Sequence, residues 1–213
     1  MRTKHAIKAT LTALSMGLTL GLAACGNNDS GGMGGMDHGS SYAPVSPAPS
    51  ASGSAATTAE FNDADVMFVQ GMLPHHQQAV TMSDTLLAKT GVSAETIALA
   101  QQIKGAQQPE IDTMKGWLTA WGQSADGGMS GMDHDMGGGM ATDDELKKFD
   151  QAQGADAEKM FLEMMTKHHQ GAIVMAKTEI SSGKNPDAAR MANSIVSSQQ
   201  AEIVTMKKLL AQL

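Results

Sequence analysis

The chain has 213 residues, a formal net charge of −7, 18 methionines, seven histidines, one cysteine and few aromatics. One cysteine excludes an internal disulfide. An acidic surface argues against nucleic acid as a partner and suits cations.

The first segment reads as an export signal. Arg2, Lys4 and Lys8 make a basic start, and Ala9 to Ala24 a short apolar stretch. It ends in Leu22-Ala23-Ala24-Cys25, which resembles the bacterial lipobox, whose cysteine is lipidated and becomes the mature N-terminus. The expectation is a signal peptide over 1–24 and an extracytoplasmic protein held to the bacterial membrane through Cys25. Without residues 1–24 the chain keeps 12 basic against 22 acidic residues, a net charge of −10.

Residues 25–59 are rich in Gly, Ser, Pro and Ala and lack apolar periodicity, so they read as a flexible tether. Within it lies Gly32-Met33-Gly34-Gly35-Met36-Asp37-His38. A related string follows mid-chain, Gly128-Met129-Ser130-Gly131-Met132-Asp133-His134-Asp135-Met136. Gly-Met-Asp-His thus occurs twice where no core can form. Glycine frees the backbone to wrap an ion, and thioether and imidazole suit soft and borderline metals. Met36, His38, Met129, Met132, His134 and Met136 are therefore auxiliary, exchanging metal ligands, or else a linker of biased composition.

Residues 60–213 fall into repeat one (60–122), a Met/Gly/His loop (123–141) and repeat two (142–213). Each repeat predicts two helices. Helix one spans about 62–89 and stops at Gly91. Ser93 caps helix two, which runs to about Trp121. Thr142 and Glu145 have capping-box spacing and open helix three, which ends at Gly183. Asn185, with Pro186 after it, starts helix four. Pro74 and Pro109 fall inside helices; an interior proline costs about 3 kcal/mol and usually kinks the helix.

The repeats share a pattern. Phe68, Met72, His75, His76, Gln77, Ala79 and Met82 recur 93 residues later as Phe161, Met165, His168, His169, Gln170, Ala172 and Met175. Steps of four and three make a seam facing other helices, with His75 and His168 on it and His76 and His169 at its edge. Ile103, Gln107, Glu110, Ile111 and Met114 match Ile195, Gln199, Glu202, Ile203 and Met206 at an offset of 92. Register across each hairpin gathers Met72, His75, Glu110 and Met114, then Met165, His168, Glu202 and Met206. An up-down-up-down bundle would run helices one and three parallel on a diagonal, with both His-His pairs at one level.

A buried imidazole needs a partner. One reading is a pair of His-Glu layers that fix helix register without metal. The other is copper, Cu(I) above all, with Cu(II) or Ag(I) as alternatives, since imidazole beside thioether suits it. The donors would be His75, His76, His168 and His169 with Met72, Met114, Met165 and Met206. Glu110 and Glu202 would be further ligands or would orient the imidazoles. Met82 and Met175 fit core and ligand roles equally. A di-iron site needs Glu-x-x-His, but Met72, Leu73, Met165 and Thr166 occupy those places, so a redox metalloenzyme is an alternative only with copper. Nucleophilic hydrolysis has no support.

The repeated Met-x-x-His-His-Gln-x-Ala-x-x-Met, followed by Gln-x-x-Glu-Ile-x-x-Met, resembles the bacterial domain-of-unknown-function family numbered 305, over about residues 60–213. The resemblance implies a ferritin-like, all-α four-helix bundle of two repeated hairpins. It also implies a part in copper resistance, since the family includes a periplasmic copper-binding member of the CopM type. The combined expectation is a non-enzymatic copper-binding protein that buffers the ion or passes it to a transfer partner.

Overall fold

The computed structural model describes residues 59–125 and 138–213, and among these every regular element is an α-helix. The helices are α1 (Asp63–Leu87), α2 (Ala94–Ala120), α3 (Asp143–Gln151), α4 (Gly154–Ser182) and α5 (Pro186–Leu210). The signal, the tether and the string at 126–137 lie outside the described residues.

The expected start signals operate. Ser93 caps α2 through the Thr96 amide, Thr142 and Glu145 form a full capping box on α3, and Asn185 caps α5 with Pro186 in its first turn. α1 and α2 run on through Pro74 and Pro109.

One expected helix is two. The helix opened by Thr142 ends at Gln151, and α4 begins at Gly154 with φ +56°. The break fits against the α1–α2 turn, where the Gly154 amide donates to Thr90 O at 3.1 Å. Gly91, at φ +76°, lies so near that an added Cβ would stand 3.2 Å from the Gly154 Cα. Lys89 donates to the Asp150 and Ala152 carbonyls, tying the end of α3 to α1.

The bundle expectation holds, but the helix directions differ from it. Asn62 donates to Ser182 O at one end of α1, His75 meets His168 midway, and Thr90 meets Gly154 at the other end. α1 and α4 are therefore antiparallel neighbours. Stacking of Phe61 on Trp121 puts the end of α2 beside the start of α1. The order is up-down-down-up, not up-down-up-down. This requires one long crossover between the hairpins, the ferritin-like arrangement. The chain supplies it by climbing α1: Gly138 touches His75, Ala141 pairs with Gln78 and Asp150 reaches Lys89.

Antiparallel packing relates the repeats by a pseudo-two-fold axis across α1 and α4. Residues 93 apart reach the same level only near that axis, where His75 and His168 lie. The core divides accordingly. Met72 and Met114 share one cluster, and Met165 and Met206 the other, while Met82 and Met175 each cross to the cluster of the opposite repeat.

Two buried carboxylates lock the hairpins reciprocally. Asp65 of α1 accepts from the Lys184 and Asn185 amides at the start of α5, at 3.1 and 2.8 Å. Glu158 of α4 accepts from the Ser93 amide at 3.0 Å and from Thr96 Oγ1 at 2.6 Å, at the start of α2. These residues are 93 apart, so each first helix caps the second helix of the other repeat. Burial favours the neutral acid in both. The Asn62, Asn185 and Lys184 amides outweigh it at Asp65, and Ser93 and Thr96 do so at Glu158, so both carboxyls lie below their ordinary values. Beside Asp65, burial and then that neighbouring carboxylate push Glu179 up to about 8, so Glu179 keeps its proton at neutral pH.

Removing either carboxylate strands two or three buried donors at a helix start. Asp65→Ala and Glu158→Ala should each lower the unfolding free energy by about 3 kcal/mol, read from urea denaturation. Asp144, in an exposed i,i+3 pair with Lys147, serves as control and should change nothing measurable. If both buried variants match that control, the hairpins are not locked by these contacts.

Candidate metal centre

α1 and α4 deliver the four histidines to one level. His75 is 1 % exposed, and His76, His168 and His169 are 0 % exposed. The His75 and His168 rings lie across the pseudo-two-fold axis with centroids 3.6 Å apart and planes tilted by 35°. His168 and His169 stand 6.3 Å apart. Met72, Met114, Met165 and Met206 are all fully buried.

Two expectations require correction. His76 and His169 are core residues, not edge residues. They, rather than His75 and His168, face the glutamates: His76 Nε2 to Glu110 Oε2 and His169 Nε2 to Glu202 Oε2, both at 2.8 Å. Successive residues on a helix point about 100° apart. The first histidine of each pair therefore aims at the opposite repeat, and the second at its own hairpin partner. Gln102 of α2 adds a bond to Glu202 at 3.1 Å, leaving Glu202 more enclosed than Glu110.

These contacts fix which nitrogens are free. A carboxylate oxygen accepts, so Nε2–H of His76 and His169 donates, and in the neutral ring Nδ1 holds a lone pair. Nε2–H of His75 donates to the Gly138 carbonyl at 2.5 Å. All four Nδ1 atoms and His168 Nε2 are buried without a partner, as are side-chain amide atoms of Gln107 and Gln199, one turn before the glutamates. Among the described residues, the other unpartnered buried side-chain atoms are the two Glu179 oxygens. Each such group costs about 1–3 kcal/mol.

The rings at the axis are held neutral. Burial, reinforced by His76 and His169, lowers His75 to about 3 against the pull of the Gly138 bond. Burial, then His75, His169 and His76, carries His168 well below the ordinary value. Neutral imidazole is the form that binds metal. Among the described residues no three His, Cys, Asp or Glu side chains converge on one ion position. Among the buried thioethers, Met206 Sδ accepts a weak bond from Thr166 Oγ1 at 3.7 Å. The donor types buried here, unpaired imidazole nitrogens and four thioethers, fit a soft monovalent ion.

Met36, His38, Met129, Met132, His134, Met136 and Cys25 lie outside the described residues. Sequence reasoning missed Gln78, Gly138 and Gly171. The signal was one mismatch: His-His-Gln-Gln-Ala in repeat one against His-His-Gln-Gly-Ala in repeat two.

A family model described as "Domain of unknown function (DUF305)" matches residues 65–210. Among solved structures, a DUF305 fragment from Deinococcus radiodurans is 32% identical, with 71% of this chain and 98% of that chain covered at TM-score 0.65. A DUF305 protein from Streptomyces coelicolor, described as secreted, is 37% identical over 70% of this chain and 91% of that one, also at TM-score 0.65. CopM in its Cu(II)-bound and Cu(I)-bound forms is 30% identical over 70% of this chain and 96% of that one, at TM-scores 0.60 and 0.58. No curated protein matches the chain.

The neutral histidines set a pH signature. With folded values below the unfolded 6.5, protons favour the unfolded chain. The histidines' contribution is complete above pH 6.5 and is lost as pH falls below it, for His75 down towards 3. Between pH 7 and 4.5 the metal-free protein should lose more stability than the double variant His75→Gln, His168→Gln, by about 2 kcal/mol or more from His75 alone, measured in urea. Equal losses would mean that these imidazoles are not held neutral.

Proposed function

Because the chain belongs to the DUF305 family, we propose that it is an exported, lipid-anchored protein that binds Cu(I) in its bundle core and buffers the ion or hands it on. The observation that carries this reading is the close pair of neutral histidines from opposite repeats, with unpartnered Nδ1 atoms in a core that also buries four thioethers. Related CopM structures hold Cu(I), Cu(II) and Ag, which supports copper as the ion.

His75, His76, His168 and His169 supply nitrogen, and Met72, Met114, Met165 and Met206 supply sulfur. Glu110 and Glu202 hold Nε2 of the outer histidines, which orients each ring and raises the basicity of Nδ1. The buried core excludes water, and the soft donors favour the cuprous state. Buffering and transfer require no turnover. The Met/His strings at 33–38 and 129–136 add capacity as weaker sites. The reading of residues 1–25 places the domain outside the cytoplasm. Among the described residues no helix is long and apolar enough to cross a membrane.

A metal that binds only the folded state stabilises it, by about 2.7 kcal/mol at 100 times the dissociation constant. Cu(I) should raise the melting temperature even with Met129, Met132, His134 and Met136 replaced by alanine. Replacing His75 and His168 together should abolish the rise while circular dichroism stays helical. A full rise in that variant would place the copper elsewhere.

The anchor is tested separately. One acyl chain binds membranes only marginally, so stable attachment takes more than one. Cys25→Ser should leave the protein unprocessed or release it from the membrane fraction. Unchanged fractionation and mature mass would rule out lipidation at this residue.

A further inference from the structure

Residues 138–141 form a strap across α1 and α4 at the level of the His75–His168 pair. Three features build it. Gly138 O accepts from His75 Nε2 at 2.5 Å. Gln78 grips Ala141 at both backbone atoms, donating to its carbonyl at 2.9 Å and accepting from its amide at 2.8 Å. Gly139, at φ +67°, packs on the Lys167 carbonyl, and Gly138 packs on Gly171 so closely that a Cβ on Gly171 would overlap the Gly138 carbonyl.

Gln78 and Gly171 are equivalent positions, 93 residues apart, and there the two repeats diverge within an otherwise shared His-His-Gln-x-Ala. Repeat one has the side chain that grips the strap, and repeat two the residue that lets it pass. His75 therefore has a backbone partner, whereas both nitrogens of His168 have none.

We propose that metal binding at His75 and docking of the 138–141 strap are thermodynamically coupled, with Gln78 and Gly171 as positioning residues. The inference rests on the copper-binding reading above. An ion on Nδ1 withdraws electron density from the ring, which makes Nε2–H a stronger donor to Gly138 O. Reciprocally, the docked carbonyl fixes the tautomer that offers Nδ1 and raises its basicity. Linkage requires the two effects to be equal: the strap raises metal affinity by the factor by which metal favours the docked strap. The coupling makes the two repeats unequal despite their matching ligands.

The test uses the full chain with Met33, Met36, His38, Met129, Met132, His134 and Met136 replaced by alanine, so that the strings outside the bundle do not report. Cu(I) affinity is measured by anaerobic chelator competition, and amide hydrogen exchange is followed at Ala141. Loading with Cu(I) should slow exchange at Ala141 about fivefold or more. Gln78→Ala removes the grip. Gly171→Ala displaces the strap while favouring the helix, so it separates strap loss from unfolding. Each variant should weaken Cu(I) binding about fivefold or more, with the bundle still folded by circular dichroism. If Cu(I) binds through His75 yet neither variant changes affinity and exchange at Ala141 ignores loading, the coupling is wrong and the site reading stands. If His75→Gln leaves Cu(I) binding intact, both are overturned.

Discussion

Four imidazoles buried at one level of a helical bundle, with their Nδ1 lone pairs unmatched, set the terms for the rest of this fold. Leucine at those positions would pack without leaving polar atoms unpaired. Instead the chain commits Nε2 of three rings to Glu110, Glu202 and Gly138, so that the other nitrogen stays a bare acceptor. That arrangement is unfavourable in an empty core and favourable around a soft cation. Stability and ligand affinity are therefore opposed in the metal-free protein, as expected where a site is prepared in advance.

Holding such a core together falls to the ends of the bundle. The Asp65 and Glu158 carboxylates cap helices of the opposite repeat, so neither hairpin closes its own turn alone. The protonated Glu179 beside Asp65 lets two acidic groups sit together without mutual repulsion. Because these contacts lie at both ends and the histidines at the middle, the α1–α4 seam is fixed along its length. The fixed seam is what brings His75 and His168 into face contact.

Periodicity and duplication made much of this readable. The repeat offset identified the four histidines, the paired methionines and the glutamates, and the caps at Ser93, Thr142 and Asn185 were visible as residue types. Helix direction was not readable. A seam of four and three steps shows which face is buried but not the sense of the helix beside it, so Gly138–Gln151 passed for loop and helix start rather than crossover. The start of α4 was hidden because Gln153 makes no side-chain cap there. The burial of His76 and His169 was missed because a single seam allows for one neighbour, while α1 and α4 each face two. The Gly138 carbonyl could not be found from side-chain chemistry at all, since it is backbone.

The central claim is that the Nδ1 atoms of the buried histidines receive the metal while Nε2 stays protonated. Nitrogen-15 NMR of the imidazoles, recorded without metal and with Cu(I), tests it at those atoms. Without metal, His75, His76 and His169 should show protonated Nε2 and unprotonated Nδ1. With one equivalent of Cu(I), Nδ1 resonances of the core histidines should shift strongly while Nε2 keeps its proton. Unshifted core Nδ1 resonances, with copper perturbing only His38 and His134, would contradict the account.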